Sequence, residues 1–414
     1  MKDQEIERLI KSEEKRQKET LDLIASENHT SEDILEAQGS RLTDKYLEGY
    51  PGRRYYPGGA VQDAIELLAQ KRALQLFNLD SQKWHVNVQP LSGSIANAAI
   101  WLALARPGED KIMGLKLSSG GHLTHGHKIS ISGIVWPAVQ YDVDPASGLI
   151  DYDKIEILAK KEKPKIIISG FTAYPRRFDF KRFAEIAKSV GALHVVDMSH
   201  IAGLVAGGVH PSPFAYADVV MTTTHKTLRG PRGAVIFSRN IKHPTSNISL
   251  PELIDKAVFP GLQGGPFGHV HAAKAICFKE AATADFRKYA KQIVKNAKAL
   301  AEELKKLGFK LVTGGTDNHL MAADLRNFSI DGRDAEKRLE EVGIIANRNT
   351  VPGDKSPFNP SGIRLGTPAL TTRGMKENEM WIIAKLIHSA IMITMSDKKI
   401  KKEVARLCKK FPIE

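Results

Sequence analysis

Cysteine is nearly absent from this chain: two residues in 414, Cys277 and Cys408, stand far apart with no ligand-like spacing. That argues against a disulfide-built fold and fits a reducing compartment. Long apolar runs are missing as well. The longest, such as 100–105, fall far short of the roughly 20 residues that span a bilayer. The opening Met1-Lys2-Asp3-Gln4-Glu5 is charged and helix-forming and carries no secretory core, so the expected location is cytoplasmic. No internal repeat and no low-complexity segment occurs. Negative charge is the scarcer sign, with 47 Asp and Glu against 60 Lys and Arg, a formal net charge of +13. Such an excess is one mark of a nucleic-acid binder. Here, however, the basic residues are interleaved with acidic ones along the whole chain, and the densest cluster, 398–410, reads as the solvated face of a terminal helix. Attraction of anionic substrates is the better reading of the charge. A salt-sensitive RNA-binding protein is the competing one.

What is present is an ordinary globular composition, 42% hydrophobic and 26% charged, long enough for two or three domains. One stretch organises the rest. Residues 219–224 are a β-branched run that reads as a strand, and Gly230, Pro231 and Gly233 close it as a loop. Lys226 stands at the join. A strand-end lysine before a glycine-rich, arginine-bearing loop suits a Schiff base with a carbonyl compound, pyridoxal phosphate first among them. One lysine among 60 basic residues is more often a surface lysine, so the remaining parts of a site must be sought elsewhere in the chain.

Those parts appear in order. Residues 1–20 read as a polar helical arm, and 21–28 as an apolar segment ending abruptly in Ser26-Glu27-Asn28. Residues 41–59 form an irregular loop rich in tyrosine, arginine and glycine, including Tyr46, Glu48, Tyr55 and Tyr56. A loop so loaded with ionisable and aromatic groups is usually functional. From residue 63 the pattern turns α/β: a helix over 63–77, a strand over 84–88, and Ser92-Gly93-Ser94 opening a helix to 105. That turn suits a phosphate, because small residues expose backbone N–H groups at a helix N-terminus. A strand over 111–115 leads to three histidines in 122–127. The surrounding glycines and the lack of nearby carboxylates argue against structural zinc, and a histidine here suits stacking on a flat ring. Strands over 165–169 and 193–197 flank a helix over 179–190. The alternation predicts a mainly parallel sheet covered by helices, with functional residues at the carboxyl ends of its strands. Asp197 and His200 fall there, and an aspartate so placed pairs with a protonated pyridine nitrogen. Residues 239–258 read as an irregular connection, followed by a second glycine-rich turn at Gly264-Gly265 and a long helical region over 268–307. A smaller α+β domain is expected beyond it, with strands over 310–312 and 319–325, a helix over 334–342, a long polar loop over 347–358, and Arg364 as a carboxylate clamp. The expected division is 1–55 as arm and helical segment, 56–275 as a cofactor-binding domain, and 276–414 as a small C-terminal domain.

The collected motifs resemble the serine hydroxymethyltransferases, pyridoxal-phosphate enzymes of the aspartate aminotransferase fold class. The likeness runs nearly the whole chain. It rests on Leu-Ile-Ala-Ser-Glu-Asn at 23–28, Tyr-Pro-Gly-Arg-Arg-Tyr-Tyr at 50–56, Gly-Gly-His-Leu-Thr-His-Gly at 120–126, Val-Asp-Met-Ser-His-Ile-Ala-Gly-Leu at 196–204, Thr-Thr-Thr-His-Lys-Thr-Leu at 222–228, Gln-Gly-Gly-Pro at 263–266 and Gly-Ile-Arg-Leu-Gly-Thr-Pro at 362–368. The resemblance implies pyridoxal 5'-phosphate bound at Lys226, Asp197 at its ring nitrogen, and His122 stacked on the ring. It implies Thr172 and His200 on the ring-hydroxyl side, and Ser92, Gly93, Ser94 and His225 at the phosphate, joined by Gly264 and Gly265 of a neighbouring subunit. Ser26 and Arg364 would bind the amino acid. Tyr46, Glu48 and Tyr56 would enter from the neighbour, with Glu48 transferring the proton, so a homodimer with shared sites is expected. Leu117, Leu123, Asn349 and Phe358 match positions that contact the pterin carrier. The implied reaction moves the serine hydroxymethyl carbon to a reduced pterin and leaves glycine, through an aldimine with the cofactor, and needs no metal. A pterin-independent threonine aldolase-type lyase is the nearest alternative.

One departure stands out. After Tyr55-Tyr56 the common folate-using members have Gly-Gly followed by Cys-Glu, where this chain reads Pro57-Gly58-Gly59-Ala60-Val61-Gln62. The missing carboxylate leaves the carrier open between tetrahydrofolate and tetrahydromethanopterin.

Overall fold

The computed structural model describes residues 1–354 and 359–413; the Phe358 expectation lies outside them. A helix, Gln4–Glu19, opens the chain with no buried residue. Leu21–Asp22 (β1) follows, then the hairpin of Gly49–Tyr50 (β2) and Arg53–Arg54 (β3) inside the tyrosine-rich loop.

Seven strands build the main sheet: Trp84–Asn87 (β4), Ile112–Leu115 (β5), Ala138–Tyr141 (β6), Ile166–Gly170 (β7), Leu193–Asp197 (β8), Val219–Thr223 (β9) and Ala234–Arg239 (β10). Their spatial order is β4-β10-β9-β8-β7-β5-β6. The pairs among β5 to β9 are parallel, while β10 runs antiparallel to both β9 and β4. Successive residues face opposite sides of a strand. Val219 and Met221 therefore enter one hydrophobic core while Val220 enters the other. With both faces covered, the strands read as continuous apolar runs. The carboxyl ends of β4, β5, β7, β8 and β9 share one edge, and the loops that leave it carry Ser92, His122, Thr172, His200 and Lys226.

A second sheet lies C-terminal to these: Lys310–Leu311 (β11), Leu320–Asp324 (β12), Asn347–Asn349 and Gly362–Gly366. Ile344–Ile345 (β13) precedes Asn347–Asn349 (β14), and Gly362–Gly366 is β15. The order β11-β12-β15-β14 is antiparallel throughout. β1 pairs in parallel with β13, and Leu21 and Leu23 join the core of this unit. The N-terminal segment is thus packed into the C-terminal one.

Three elements differ from the sequence expectations. Leu250–Lys256 is a helix inside the stretch read as irregular; Ser249 caps it by accepting from the Glu252 N–H at 3.3 Å, with Pro251 in the first turn. The region over 268–307 is two helices, Gly268–Ala281 and Ala284–Lys306, because Thr283 leaves the helix and caps the second by accepting from Phe286. Asn347–Asn349 of the polar loop is the edge strand β14. Among the described residues no helix is long and apolar enough to cross a membrane.

Histidine is unusually well buried here. Burial, the largest influence in each case, lowers His194 and His210 to about 4 and His319 to about 3, and puts His271 well below its ordinary value. These groups are neutral when folded, but in the unfolded chain they take protons below about pH 6.5. The unfolded state therefore binds more protons between about pH 6.5 and 4, and stability falls as pH drops through that window, by up to about 1.4 kcal/mol per group per pH unit. Urea midpoints of the cofactor-free protein are expected to decline steadily from pH 7 to pH 5. A flat profile over that range would contradict this account.

Candidate active site

Lys226 follows β9 by three residues. Its Nζ donates to Thr223 Oγ1 at 2.9 Å. Burial draws its pKa down to about 8, helped by the cations Arg364 and Arg232 and opposed by Asp197. The loop around it is pinned: Asn28 Nδ2 and the Arg229 N–H both donate to the Lys226 carbonyl, at 2.9 and 3.0 Å. Arg229 turns the chain at φ +64° and lies over the Tyr289 ring at 4.6 Å. An amine at the end of a rigid strand, with a lowered pKa, is a nucleophile ready at neutral pH.

Asp197 ends β8 and is buried. Its Oδ2 accepts from His125 Nε2 and from Asn97 Nδ2, both at 3.1 Å, and its Oδ1 from the Ser199 N–H at 3.0 Å. Burial alone would raise its pKa. Hydrogen bonding and charge from His125, with smaller help from His122 and Ser199, carry it well below the usual carboxylate range. The His122 N–H donates to His125 Nδ1 at 3.3 Å, which leaves Nε2 as the protonated nitrogen facing Asp197. His122 is fixed in turn. Its Nδ1 accepts from the Thr124 N–H and from Thr124 Oγ1, and that hydroxyl accepts from Asn97 Nδ2 at 2.8 Å. Burial lowers His122 to about 4, so it presents a neutral ring.

On the other side, Thr172 Oγ1 donates to the Gly121 carbonyl at 2.8 Å, and its own carbonyl accepts from Arg364 Nη1 at 2.8 Å. Arg364, on β15, also donates from Nε to Asn347 Oδ1 at 3.1 Å, which leaves its Nη2 without a protein partner among the described residues. Burial pulls Arg364 to about 10. His200 shares a hydrogen bond with His319, Nδ1 to Nε2 at 3.2 Å, with the rings stacked. Ser26 lines a cavity of about 230 Å³ with Asn28, His225 and Arg232. Leu117 opens a single 3-10 turn and Asn349 ends β14, and the two segments are joined where Thr350 Oγ1 donates to the Ser118 carbonyl at 3.2 Å. Leu123, on the turn after His122, is exposed.

The residues present fit pyridoxal phosphate. Ser92 is the N-cap of the helix Gly93–Leu104, so the first-turn N–H groups stand at its mouth. A Cβ on Gly93 would lie 2.7 Å from Thr223 Cγ2, so the turn is held bare against the lysine strand. His225 Nδ1 is buried with no hydrogen-bond partner among the described residues. An anion cradle, an orphaned imidazole nitrogen, an ionised buried aspartate and a depressed lysine converge on one strand edge.

Tyr46, Glu48, Tyr56, Gly264 and Gly265 form a separate group. Tyr46 OH donates to Glu48 Oε1 at 3.2 Å, and the Tyr46 and Tyr56 ring centroids are 4.9 Å apart. A Cβ on Gly264 would lie 3.2 Å from Glu48 Oε1. Tyr46 and Tyr56 are exposed. Among the described residues no hydrogen bond, ion pair or ring contact joins this group to Lys226, Asp197, His122, Ser92 or Arg364.

Sequence reasoning missed several members. His125 lay in the quoted glycine–histidine motif, but only the fold shows which of its histidines reaches Asp197. Asn97 gave no signal beyond its place one turn into the helix Gly93–Leu104. Lys274 is fully buried, and its Nζ donates to the carbonyls of Val88, Pro90 and Ala234 at 2.6, 3.1 and 2.9 Å, bracing the chain before Ser92. Nothing local distinguishes it from other helical lysines. Among the described residues no group of three or more His, Cys, Asp or Glu is placed to hold a metal ion. The family model described as Serine hydroxymethyltransferase matches residues 1–387.

Proposed function

The chain belongs to the serine hydroxymethyltransferase family, and we propose that the Lys226 cluster is its catalytic pocket, completed in a homodimer by the neighbour's Tyr46, Glu48, Tyr56, Gly264 and Gly265. The family's reaction is the pyridoxal-phosphate-dependent interconversion of serine and glycine with a pterin one-carbon carrier. When bound, pyridoxal 5'-phosphate supplies the electron sink that lets the Cα–Cβ bond of serine break. The protein's contribution is placement and charge. Lys226 holds the cofactor covalently. Ser92, Gly93, Ser94 and His225 take its phosphate, Asp197 keeps its ring nitrogen protonated, His122 covers its face, and Thr172 and His200 lie at its ring hydroxyl. Arg364 takes the substrate carboxylate, Ser26 helps to bind the amino acid, and Glu48 moves the proton at the serine hydroxyl.

The observation that carries this reading is the ionised, buried Asp197 on the strand next to a lysine whose pKa has fallen to about 8. The separation of exposed Tyr46 and Tyr56 and half-buried Glu48 from that pocket supports the shared site.

For the carrier, the start of the helix Ala60–Leu76 is the segment that bears on the choice. In its first turn Val61 is exposed, Gln62 is buried and donates to the Leu42 carbonyl, and Asp63 is engaged by Arg54. Among the described residues no free carboxylate stands there. On that departure we propose tetrahydromethanopterin in preference to tetrahydrofolate. Serine–glycine exchange measured with each carrier side by side is expected to be faster with tetrahydromethanopterin. Faster turnover with tetrahydrofolate would reverse the assignment, and equal cleavage without either would favour an aldolase.

A further inference from the structure

Between the Lys226 pocket and the Tyr46–Glu48 group lies a buried polar unit that the reaction as described leaves unused. Gln89 is fully buried, three residues before Ser92. Its Nε2 donates to the Gly49 carbonyl at 3.0 Å and to Glu66 Oε1 at 2.9 Å. Both partners are acceptors, so the amide has only one workable orientation. Gly49 is the residue after Glu48. The carbonyls on either side of Glu48, those of Leu47 and Gly49, also accept from Arg54 Nη1, and Arg54 is held by Asp63 and Glu66. The Gln89 carbonyl accepts from Gln263 Nε2 at 3.2 Å, and Gln263 Oε1 accepts from the Leu91 N–H at 3.0 Å. Gln263 is the residue before Gly264. One side chain and its own backbone therefore touch all three functional segments: the Glu48 loop, the Ser92 turn and the Gly264-Gly265 turn.

We propose that Gln89 is a positioning residue that sets Glu48 for the neighbouring subunit's site while anchoring the phosphate turn of its own. The inference rests on the shared-site reading above. Glu48 itself is half-buried and its loop contains only a two-residue hairpin, so its aim is set by these hydrogen bonds. A displacement of about 1 Å in such a group costs up to a hundredfold in rate. Gln89→Met keeps the side chain's bulk, removes one of the two donors to the Gly49 carbonyl and takes from Glu66 Oε1 its donor.

Hybrid dimers separate the two roles. A Lys226→Ala chain paired with a Glu48→Gln chain retains one complete site, built from the second chain's Lys226 and the first chain's Glu48, and is expected to show about half of wild-type exchange. An inactive hybrid would refute the shared site and this inference with it. If that hybrid is active, Gln89→Met is added to one chain of a Lys226→Ala/wild-type hybrid. Placed on the Lys226→Ala chain, it is expected to cut serine–glycine exchange about tenfold or more with cofactor affinity unchanged. Placed on the lysine-bearing chain, where the Gln89 carbonyl still accepts from Gln263, it is expected to spare both cofactor affinity and serine–glycine exchange. Equal losses in both arrangements, or a loss of exchange only in the second, would overturn the inference while leaving the shared site intact. Amide hydrogen exchange over 46–50, measured on the Gln89→Met dimer without cofactor, is expected to accelerate at least about tenfold while 193–197 is unchanged; unaltered exchange over 46–50 would also overturn it. Should Gln89→Met fail to assemble, Gln89→Glu keeps the shape and, when protonated, one donor. It is expected to show the same asymmetry at smaller amplitude, and a symmetric defect counts against the proposal.

Discussion

Replacing Lys226 with alanine is expected to leave a protein that stays colourless with pyridoxal phosphate and exchanges serine and glycine about a thousandfold more slowly or worse, the range for losing a nucleophile that also handles protons. The environment of the amine sets this expectation. With its pKa at about 8, about a quarter of the amine is free at pH 7.5, against about a thousandth for an ordinary lysine. Burial does most of that work, and the Arg364 and Arg232 charges add to it. Covalent capture of pyridoxal phosphate by the cofactor-free protein should therefore rise with pH to a plateau with a midpoint near 8, read from the growth of the visible band. Lys226→Arg separates charge from nucleophilicity: it keeps the cation beside Asp197 and Thr223, and it too should be colourless. A visible band that survives in either variant would move the cofactor lysine elsewhere. Among other buried lysines, Lys274 is the obvious candidate by burial, but its Nζ is committed to three carbonyls and has no room for a carbonyl compound.

How much of this was readable before the fold depends on the range of the interaction. Strands β8 and β9 are short β-branched runs whose patterns are local, and their ends place Asp197 and Lys226 directly. The Ser92 turn carries its own signal in the small residues that bare a helix N-terminus. The helix Leu250–Lys256 also carries a local signal, Ser249 followed three residues later by Glu252, but it is embedded among prolines, asparagine and serines that read as loop. The break at Thr283 was hidden for the opposite reason, since Lys, Ala and Glu continue at helical spacing on both sides. Long-range partnerships left no trace in the pattern. His125 meets Asp197 across 72 positions and Gln89 meets Gly49 across 40. The pairing of Leu21 with Ile344, which puts the N-terminal segment into the C-terminal core, is a property of the fold alone. The apartness of the Glu48 group from Lys226 is of the same kind, for a sequence gives no distance between two loops.

Asp197→Asn is the second large effect, and its logic is electrostatic. The carboxylate accepts three hydrogen bonds in a buried setting and stays ionised at any working pH because His125 and its other donors outweigh the cost of burial. An ionised group of this kind holds a proton on the cofactor's ring nitrogen, and the electron sink depends on that proton. The asparagine side chain has nearly the same shape but no charge, and its amide must present N–H to donors that now meet a carboxylate, either to His125 Nε2 and Asn97 Nδ2 together or to the Ser199 N–H. Serine–glycine exchange is expected to fall by about a hundred- to a thousandfold, comparable to removing a preorganised electrostatic group, with cofactor still bound but its visible maximum moved. His125→Ala removes only the largest of the supporting donors, so it should cost about tenfold. The dependence on pH separates this from general damage. The Asp197 pKa is lowered on folding, so its contribution to stability is fully present above the unfolded value of about 3.9 and is lost only as pH falls towards the folded one. The stability difference between wild type and Asp197→Asn should therefore be the same at pH 5.5 and pH 8, even though both proteins weaken towards acid as their buried histidines take up protons. A difference that shrinks between pH 8 and pH 5.5 would mean that Asp197 titrates in that interval, and the fixed negative charge assigned to the ring nitrogen would be lost with it.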